Sequence, residues 1–466
     1  MAEATSSAKS ENVNFVNRIE ITSSELAAGL GGVGYDCLGI AQIHRRRVTP
    51  AGETAAAMRI LLWHGYLLGG TGSNVYTRSV AREWSRAGHD VVVVCQERHP
   101  DLYDLGGARV VRPEIGGVLP VFVLDRYEGL DAKLLQDLTK DERDRYVEAN
   151  AAALRQLAPA DLVFANHILL GAPVGVASGL PFAVKAHGSE LEYSMRGNAE
   201  LSRWGREALA EARAVFVGSA HIQAVVEEIV GHVARVHEVP PGVDVDAFRP
   251  QTREAALEHL LEEARRDAPN TGNSNERLPD EGNVERLSAF LEDDEPTVLY
   301  FGKLLRNKGV HLLLEALRSV EARAVIVGFG DYRRELEAMA GARTLFTGPL
   351  EHRHLVHLIP LADVTVVPSI FPEAFGMVAA EAAAAGSLPL VARHSGLAEI
   401  AGALEDAGVP ASFKSGDALD LAEKLRAVLD VPQGEREELA RRARRVVEER
   451  WSWTRVADRL LEPFHE

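Results

Sequence analysis

Continuous apolar runs, with little polar alternation inside them, set the rhythm of this chain. Ile60-Leu61-Leu62-Trp63 leads into a glycine-rich loop, and Val75 to Gly88 then places Val75, Val80 and Trp84 at helical spacing. The turn Gly88-His89-Asp90 leads into Val91-Val92-Val93-Val94-Cys95, a β-branched run that suits a strand buried on both faces. Further runs occur at Asp161–Ala165, Phe182–Ala186 and Ala214–Gly218. Such strands, separated by helical stretches, are parallel and joined by crossovers.

The second half restarts the same grammar. Thr297-Val298-Leu299-Tyr300-Phe301 reads as a strand, Lys308 to Leu317 opens a helix, and Ala324–Val327 turns out through Gly328-Phe329-Gly330. Thr344–Phe346, Val364–Val367 and Leu388–Val391 complete a second parallel set. The pattern predicts an α/β fold: two doubly wound parallel-sheet, Rossmann-like domains facing a cleft, with ligands beyond the carboxyl ends of the strands. The expected division is 1–57 as an extension outside the fold and 58–240 as a first domain. A linker with an acidic helical insertion follows over 241–296, then a second domain over 297–450 and a final helix over 451–466.

Residues 1–57 lack a core-forming pattern; Arg45-Arg46-Arg47 follow the weakly apolar stretch, the reverse of a secretory signal. Pro240-Pro241-Gly242-Val243-Asp244 reads as a stiff connection between domains. Gln251 to Pro296 is strongly acidic and reads as a solvated insertion at a domain edge.

Composition narrows the function classes. With 51 basic and 68 acidic residues in 466, the formal charge is −17, which argues against nucleic acid as a partner. The 2 cysteines, Cys37 and Cys95, exclude a disulfide framework and a thiolate zinc site, and a reducing, cytoplasmic setting fits. No run of ~18 uninterrupted apolar residues occurs, so a spanning helix is not expected. Peripheral contact with the inner face of a membrane is compatible with this composition.

The densest candidate chemistry runs from Pro368 to Glu381. Glu373 stands just ahead of an Ala-rich helix that stops at Gly386. Ala374, Phe375, Gly376 and Met377 are expected to offer free backbone N–H groups to an anion at its N-terminus. Glu381 falls ~7.5 Å beyond Gly376 along the axis, so the two carboxylates bracket a long, hydroxyl-bearing ligand such as a sugar or ribose. Lys303 and Lys308 follow the Thr297–Phe301 strand end, where cations stabilise charge growing on a leaving phosphate.

Gly69-Gly70-Thr71-Gly72-Ser73-Asn74 follows the first strand, but Val75 stands where a dinucleotide fingerprint needs a third glycine. It reads as a loop over a diphosphate or acceptor, with Gly69 and Thr71 as acceptor-side candidates and Gly70 on the donor. His187 follows the Phe182–Ala186 strand, and Glu190 and Ser219 are further acceptor-side candidates. Asp244-Val245-Asp246 matches an Asp-x-Asp metal motif only formally, and no His/Cys cluster suggests a metal, so neither metal nor other cofactor is expected.

These motifs, taken in order, resemble the retaining glycosyltransferases of sequence family 4, which have the GT-B fold. The resemblance is carried by Gly69-Gly70, His187-Gly188, Pro241-Gly242-Val243-Asp244, Gly302-Lys303 with Lys308-Gly309, Gly328-Phe329-Gly330 and the glutamates Glu373 and Glu381. It spans Met58 to the C-terminus apart from the acidic insertion, and Trp451-Ser452-Trp453 looks like the start of a final helix that crosses back onto the first domain. It implies a nucleotide-sugar donor, UDP-sugar favoured and GDP-mannose the alternative, held mainly by the second domain. The acceptor, a small molecule, glycan or lipid-linked hydroxyl, falls to the first.

By the same resemblance, His187, Lys303, Lys308 and Glu373 are the catalytic set. Lys303, Lys308, Glu373, Ala374–Met377 and Glu381 bind the donor, with Glu381 on the ribose. Lys303 stands where the family usually carries Arg, and an ammonium does not reproduce a guanidinium fork. A nucleotide-sugar epimerase of the same architecture, and an inactive nucleotide-sugar sensor or scaffold, are the competing functions.

Overall fold

A computed structural model of the chain describes residues 56–123 and 130–465; nearly all of the expected N-terminal extension lies outside them. The chain divides into two compact units. One runs to Val215 and takes in Ile229–Arg235, and the other holds Phe216–Glu228 and Val236–Phe464. The second unit thus begins before residue 240, and Val243 is buried in its hydrophobic core. What reads as a stiff connection is a packed seat. Val243 donates its N–H to the Trp451 carbonyl at 2.7 Å, and a Cβ on Gly242 would lie 2.5 Å from the Trp453 ring.

The strands of the first half are β1 (Arg59–Trp63), β2 (Asp90–Val94), β3 (Arg109–Val111), β4 (Val118–Val121), β5 (Asp131–Leu134), β6 (Leu162–Asn166), β7 (Phe182–Lys185), β8 (Ala214–Val217) and β9 (Val236–Glu238). They form a 7-stranded sheet in the order β3-β2-β1-β6-β7-β8-β9, with β4 and β5 paired apart from it. β1 pairs in parallel with both β2 and β6, Leu62 lying opposite Val93 on one side and Phe164 on the other. The chain therefore winds outward in both directions from β1, and the carboxyl ends of β1 and β6 border a topological switch point.

The second unit repeats this. β10 (Thr297–Phe301), β11 (Arg323–Val327), β12 (Thr344–Phe346), β13 (Val364–Val367), β14 (Leu388–Ala392) and β15 (Ser412–Phe413) make a 6-stranded sheet ordered β12-β11-β10-β13-β14-β15. All its pairs are parallel, and its switch point lies between β10 and β13. Both sheets are buried through β1, β6, β7, β10, β11 and β14, which is why those strands read as unbroken apolar runs.

The acidic segment is not a solvated appendage. Its helices Arg253–Ala264 and Asn283–Phe290 bury Ala256, Leu260 and Leu287 in the second unit's core. Asp280, 5% exposed, takes two hydrogen bonds from Arg333, and Arg353 pairs with Glu263 and Asp267. Counting charge within the segment hides this, because the neutralising arginines come from later in the chain. The closing helix Trp453–Leu461 groups with the second unit. Among the described residues no helix is long and apolar enough to cross a membrane.

Candidate active site

In the second unit the candidate residues gather at the β10/β13 switch point. Gly302 continues from β10 at φ 153°, and a Cβ on Gly328 would sit 1.8 Å from the Gly302 carbonyl, so these two strand-end loops approach through glycine alone. Lys303 is exposed, its carbonyl accepting the Tyr300 hydroxyl at 2.8 Å. A short turn, Arg306–Lys308, ends in Gly309 at φ 71°, where a Cβ would lie 1.8 Å from the Pro368 carbonyl. This close approach brings Lys308 to the segment that follows β13. The lysine Nζ donates to Glu373 Oε1 at 2.6 Å.

Glu373 is also held through its backbone. Its N–H donates to Ser395 Oγ at 2.9 Å, and its carbonyl accepts from Gly396 N at 3.0 Å. His394 Nε2 donates to the Ser369 carbonyl at 2.7 Å, which leaves Nδ1 to accept from Ser395 Oγ at 3.0 Å. Ser395 and His394 thus brace the glutamate loop from the end of β14. Neither stands out in the sequence; the signal available was their position just past a strand end.

The helix after Glu373 runs Met377–Ala385, later than expected. Gly376, at φ 119°, has a left-handed backbone that a helix does not contain, so Ala374–Gly376 form the entering loop and the helix's own first turn begins at Met377. Gly386 ends the helix at φ 96°, as its sequence position predicts. Glu381 is 8% exposed among buried alanines, and burial pushes its carboxyl up to about 8. His352 Nε2 lies 3.9 Å from its Oε1. Ser219, grouped with this second unit, donates its hydroxyl to the Ala374 carbonyl at 2.6 Å, which commits it to the glutamate loop.

The first unit gathers a different set at its own switch point. His64 follows β1, Asn166 ends β6 with His167 after it, and His187 follows β7. Asn166 Oδ1 meets His187 Nε2 at 2.6 Å. Glu190, fully buried, accepts the His187 N–H at 2.9 Å and takes His167 Nδ1 at 3.1 Å. His167 holds φ 69°, a left-handed backbone costly for a non-glycine residue and frequent at functional sites.

The rings of His167 and His187 lie 4.7 Å apart, and Tyr76 meets His187 edge-on at 5.1 Å. Burial, then the nearby His167, Lys185 and His64, holds the His187 imidazole well below its ordinary pKa, so it is neutral at physiological pH. Burial alone raises the Glu190 carboxyl, but the neighbouring His167 and the His187 N–H outweigh burial and leave it below the usual range.

Gly70 in the glycine loop holds φ 93° with open space around it, and Thr71 is exposed with its hydroxyl 3.2 Å from Ser73. A Cβ on Gly69 would lie 2.4 Å from the Tyr103 hydroxyl, so a side chain there would have to displace the tyrosine ring. Asn74 ties this loop to the histidines: its amide nitrogen donates to the Gly69 carbonyl, and its oxygen meets His64 Nε2 at 2.8 Å. Sequence reading singles out His187 and Glu190 but misses His64, Asn74, Asn166 and His167. All but Asn74 sit at the ends of adjacent strands, and that shared position was the usable signal. Asp244 Oδ1 accepts the Ala247 N–H at 3.1 Å, so the formal Asp-x-Asp closes a turn.

Two Rossmann-like domains, each with its polar residues at the switch point of a parallel sheet, place the chain in the GT-B class. The model of the glycosyl transferase 4-like domain matches residues 71–242, and that of glycosyl transferases group 1 matches 284–446. The chain belongs to this glycosyltransferase family. It is 33% identical over 276 residues to D-inositol 3-phosphate glycosyltransferase from Xylanimonas cellulosilytica, covering 56% of this chain and 58% of that one. It is 35% identical over 188 residues to an uncharacterized glycosyltransferase of Methanocaldococcus jannaschii, covering 38% of this chain and 47% of the relative.

The chain thus spans about half the length of the curated relatives it matches. Sucrose-phosphate synthase from Thermosynechococcus elongatus shares the fold at TM-score 0.60 and 20% identity, over 86% of this chain and 97% of that one. Anabaena HepE in complex with UDP and glucose does so at TM-score 0.60 and 18% identity, over 87% and 98%.

Proposed function

We propose that the protein transfers a hexose-type sugar from a nucleotide diphosphate sugar to an acceptor hydroxyl, with retention at the anomeric carbon and without a metal. The observation that carries this reading is the placement of Lys308, Glu373 and the first turn of the Met377–Ala385 helix together at the β10/β13 switch point. That arrangement offers one cation and a set of free amides to a diphosphate, beside a carboxylate suited to sugar hydroxyls. Glu381 lies further along the same helix, where a ribose follows the diphosphate.

In the proposed step the bond from the anomeric carbon to the diphosphate oxygen breaks. The acceptor oxygen forms its bond on the same face, and the acceptor proton passes to the departing phosphate. Lys308 and the helix amides stabilise the charge that grows on that phosphate. Glu373 holds a sugar hydroxyl beside Lys308, and His187 holds a ligand hydroxyl at the first unit's own switch point. Lys303, exposed at the strand end, supplies a second positive charge.

A UDP-sugar is the favoured donor and GDP-mannose the alternative; HepE, bound to UDP and glucose, supports the first. The names of the sequence relatives support a cyclitol phosphate as one acceptor to try, alongside glycan and lipid-linked hydroxyls. The setting proposed is cytoplasmic, with peripheral membrane contact for a lipid-linked acceptor. A thermal-shift screen of UDP-, GDP- and ADP-sugars tests the donor. Stabilisation by one nucleotide class supports the reading, and no response to any of them counts against it. Product analysis then separates a glycosylated acceptor from an epimerised donor.

A further inference from the structure

We propose that Asn166 is a positioning residue that locks His187 in a single tautomer, so that His187 meets a ligand hydroxyl only as an acceptor, through Nδ1. The inference rests on the transfer reaction above for the identity of the ligand; the tautomer follows from the protein's own hydrogen bonds. Asn166 is fully buried. Its Nδ2 lies 3.3 Å from the Trp63 carbonyl and 3.2 Å from Thr77 Oγ1. A carbonyl only accepts. The Thr77 hydroxyl spends its proton on the Ser73 carbonyl at 2.8 Å, so it too is an acceptor toward Asn166.

Turning the amide over would set its oxygen against two acceptors. Oδ1 therefore faces His187, and the 2.6 Å contact requires the proton on Nε2. Nδ1 is left bare, with no partner among the described residues.

The surroundings keep the ring from taking a second proton. His167 lies 4.7 Å away ring to ring, the Lys185 ammonium sits on the same strand end, and the Tyr76 ring stands nearly perpendicular to the His187 ring with centroids 5.1 Å apart. His64 adds to the effect, and Glu190 spends its oxygens on the His187 N–H and on His167 instead of on the His187 ring. A charged imidazole would have two donors and no acceptor. The neutral ring pinned by Asn166 accepts from a sugar hydroxyl and rejects a carbonyl or phosphate oxygen.

Nitrogen NMR on the full chain labelled in its histidine rings reads the tautomer directly, with His187→Gln used to assign the signal. The expected result is a proton on Nε2 and none on Nδ1 between about pH 6 and 8. A ring protonated at Nδ1 in that window overturns the inference, whatever the activity. Asn166→Asp then gives a kinetic readout. A carboxylate at Nε2 raises the ring pKa, so kcat/KM should fall about tenfold toward low pH and recover as pH rises, the size of one lost hydrogen bond. A loss independent of pH would mean that Asn166 is merely structural and would count against the proposal. If the tautomer is as stated and no donor is turned over, the transfer reading fails while the tautomer assignment stands.

Discussion

Lys308 and Glu373, 65 residues apart in the chain, form an ion pair of 2.6 Å at the β10/β13 switch point. The pair neutralises the cation that the proposed mechanism places nearest the diphosphate, leaving Lys303 as the second positive charge. Ligand phosphate must therefore compete with a carboxylate that is already in place. Replacing Glu373 by Gln keeps the shape and removes the competing charge. UDP alone is expected to bind Glu373→Gln as tightly as the parent or several-fold more tightly by calorimetry, while turnover of the sugar nucleotide falls. Weaker UDP binding would show that Glu373 supports the phosphate site through more than its pairing with Lys308.

Glu381 sets a pH dependence with a definite sign. Its carboxyl is raised to about 8 by burial, so the carboxylate form dominates only above that pH. Donor KM should fall as pH rises through about 8, with kcat little changed, and Glu381→Gln should abolish this slope. Stability shifts the opposite way. A raised folded-state pKa means that stability is fully present below about 4.5, the ordinary glutamate value, and is lost as pH rises toward about 8. Glu381→Gln should therefore raise Tm more at pH 9 than at pH 5, and equal shifts at both would refute the burial argument.

Two glycines make a matched pair for calorimetry or denaturant unfolding. Gly309→Ala forces a left-handed φ of 71° on a Cβ that would lie 1.8 Å from the Pro368 carbonyl. It should cost more than the ~1–2 kcal/mol of the backbone conformation alone and loosen the Lys308 turn. Gly434→Ala, in the helix Gln433–Arg450 with nothing near its Cβ, should stabilise by up to about 1 kcal/mol.

Chelation tests the metal-free proposal. Activity is expected to survive excess EDTA, because Lys308 and the helix amides take the role a divalent ion would otherwise fill. Loss of activity restored by magnesium or manganese would require acidic ligands for such an ion.

Runs such as Val91–Val94 and Val298–Phe301 announce their strands, since burial on both faces leaves a purely local signal. β3 and β9, 3 residues each and partly exposed, carry no such signal and escape sequence reading. The start of the Met377–Ala385 helix is misplaced for a related reason. Glu373 looks like the residue before a helix, but the left-handed φ of Gly376 delays it, and sequence shows only that a glycine is there.

Lys308, Glu373 and Glu381 are legible because their motif is contiguous or tied to one strand end. The link between Asn166 and His187 is not, since it joins the ends of two strands that become neighbours only in the folded sheet. The acidic insertion misleads for the same reason, its arginine partners Arg333 and Arg353 lying well downstream.

Acceptor-dependent release of nucleoside diphosphate, measured with saturating donor and acceptor for the parent chain and for Lys308→Ala, bears most directly on the central claim. The account predicts release from one class of sugar nucleotide, with kcat in Lys308→Ala lower on the order of 10²–10³-fold, as when a donor to a developing oxyanion is removed. A Lys308→Ala protein with undiminished kcat, or a parent chain that releases nucleoside diphosphate from no donor in the panel, would contradict it.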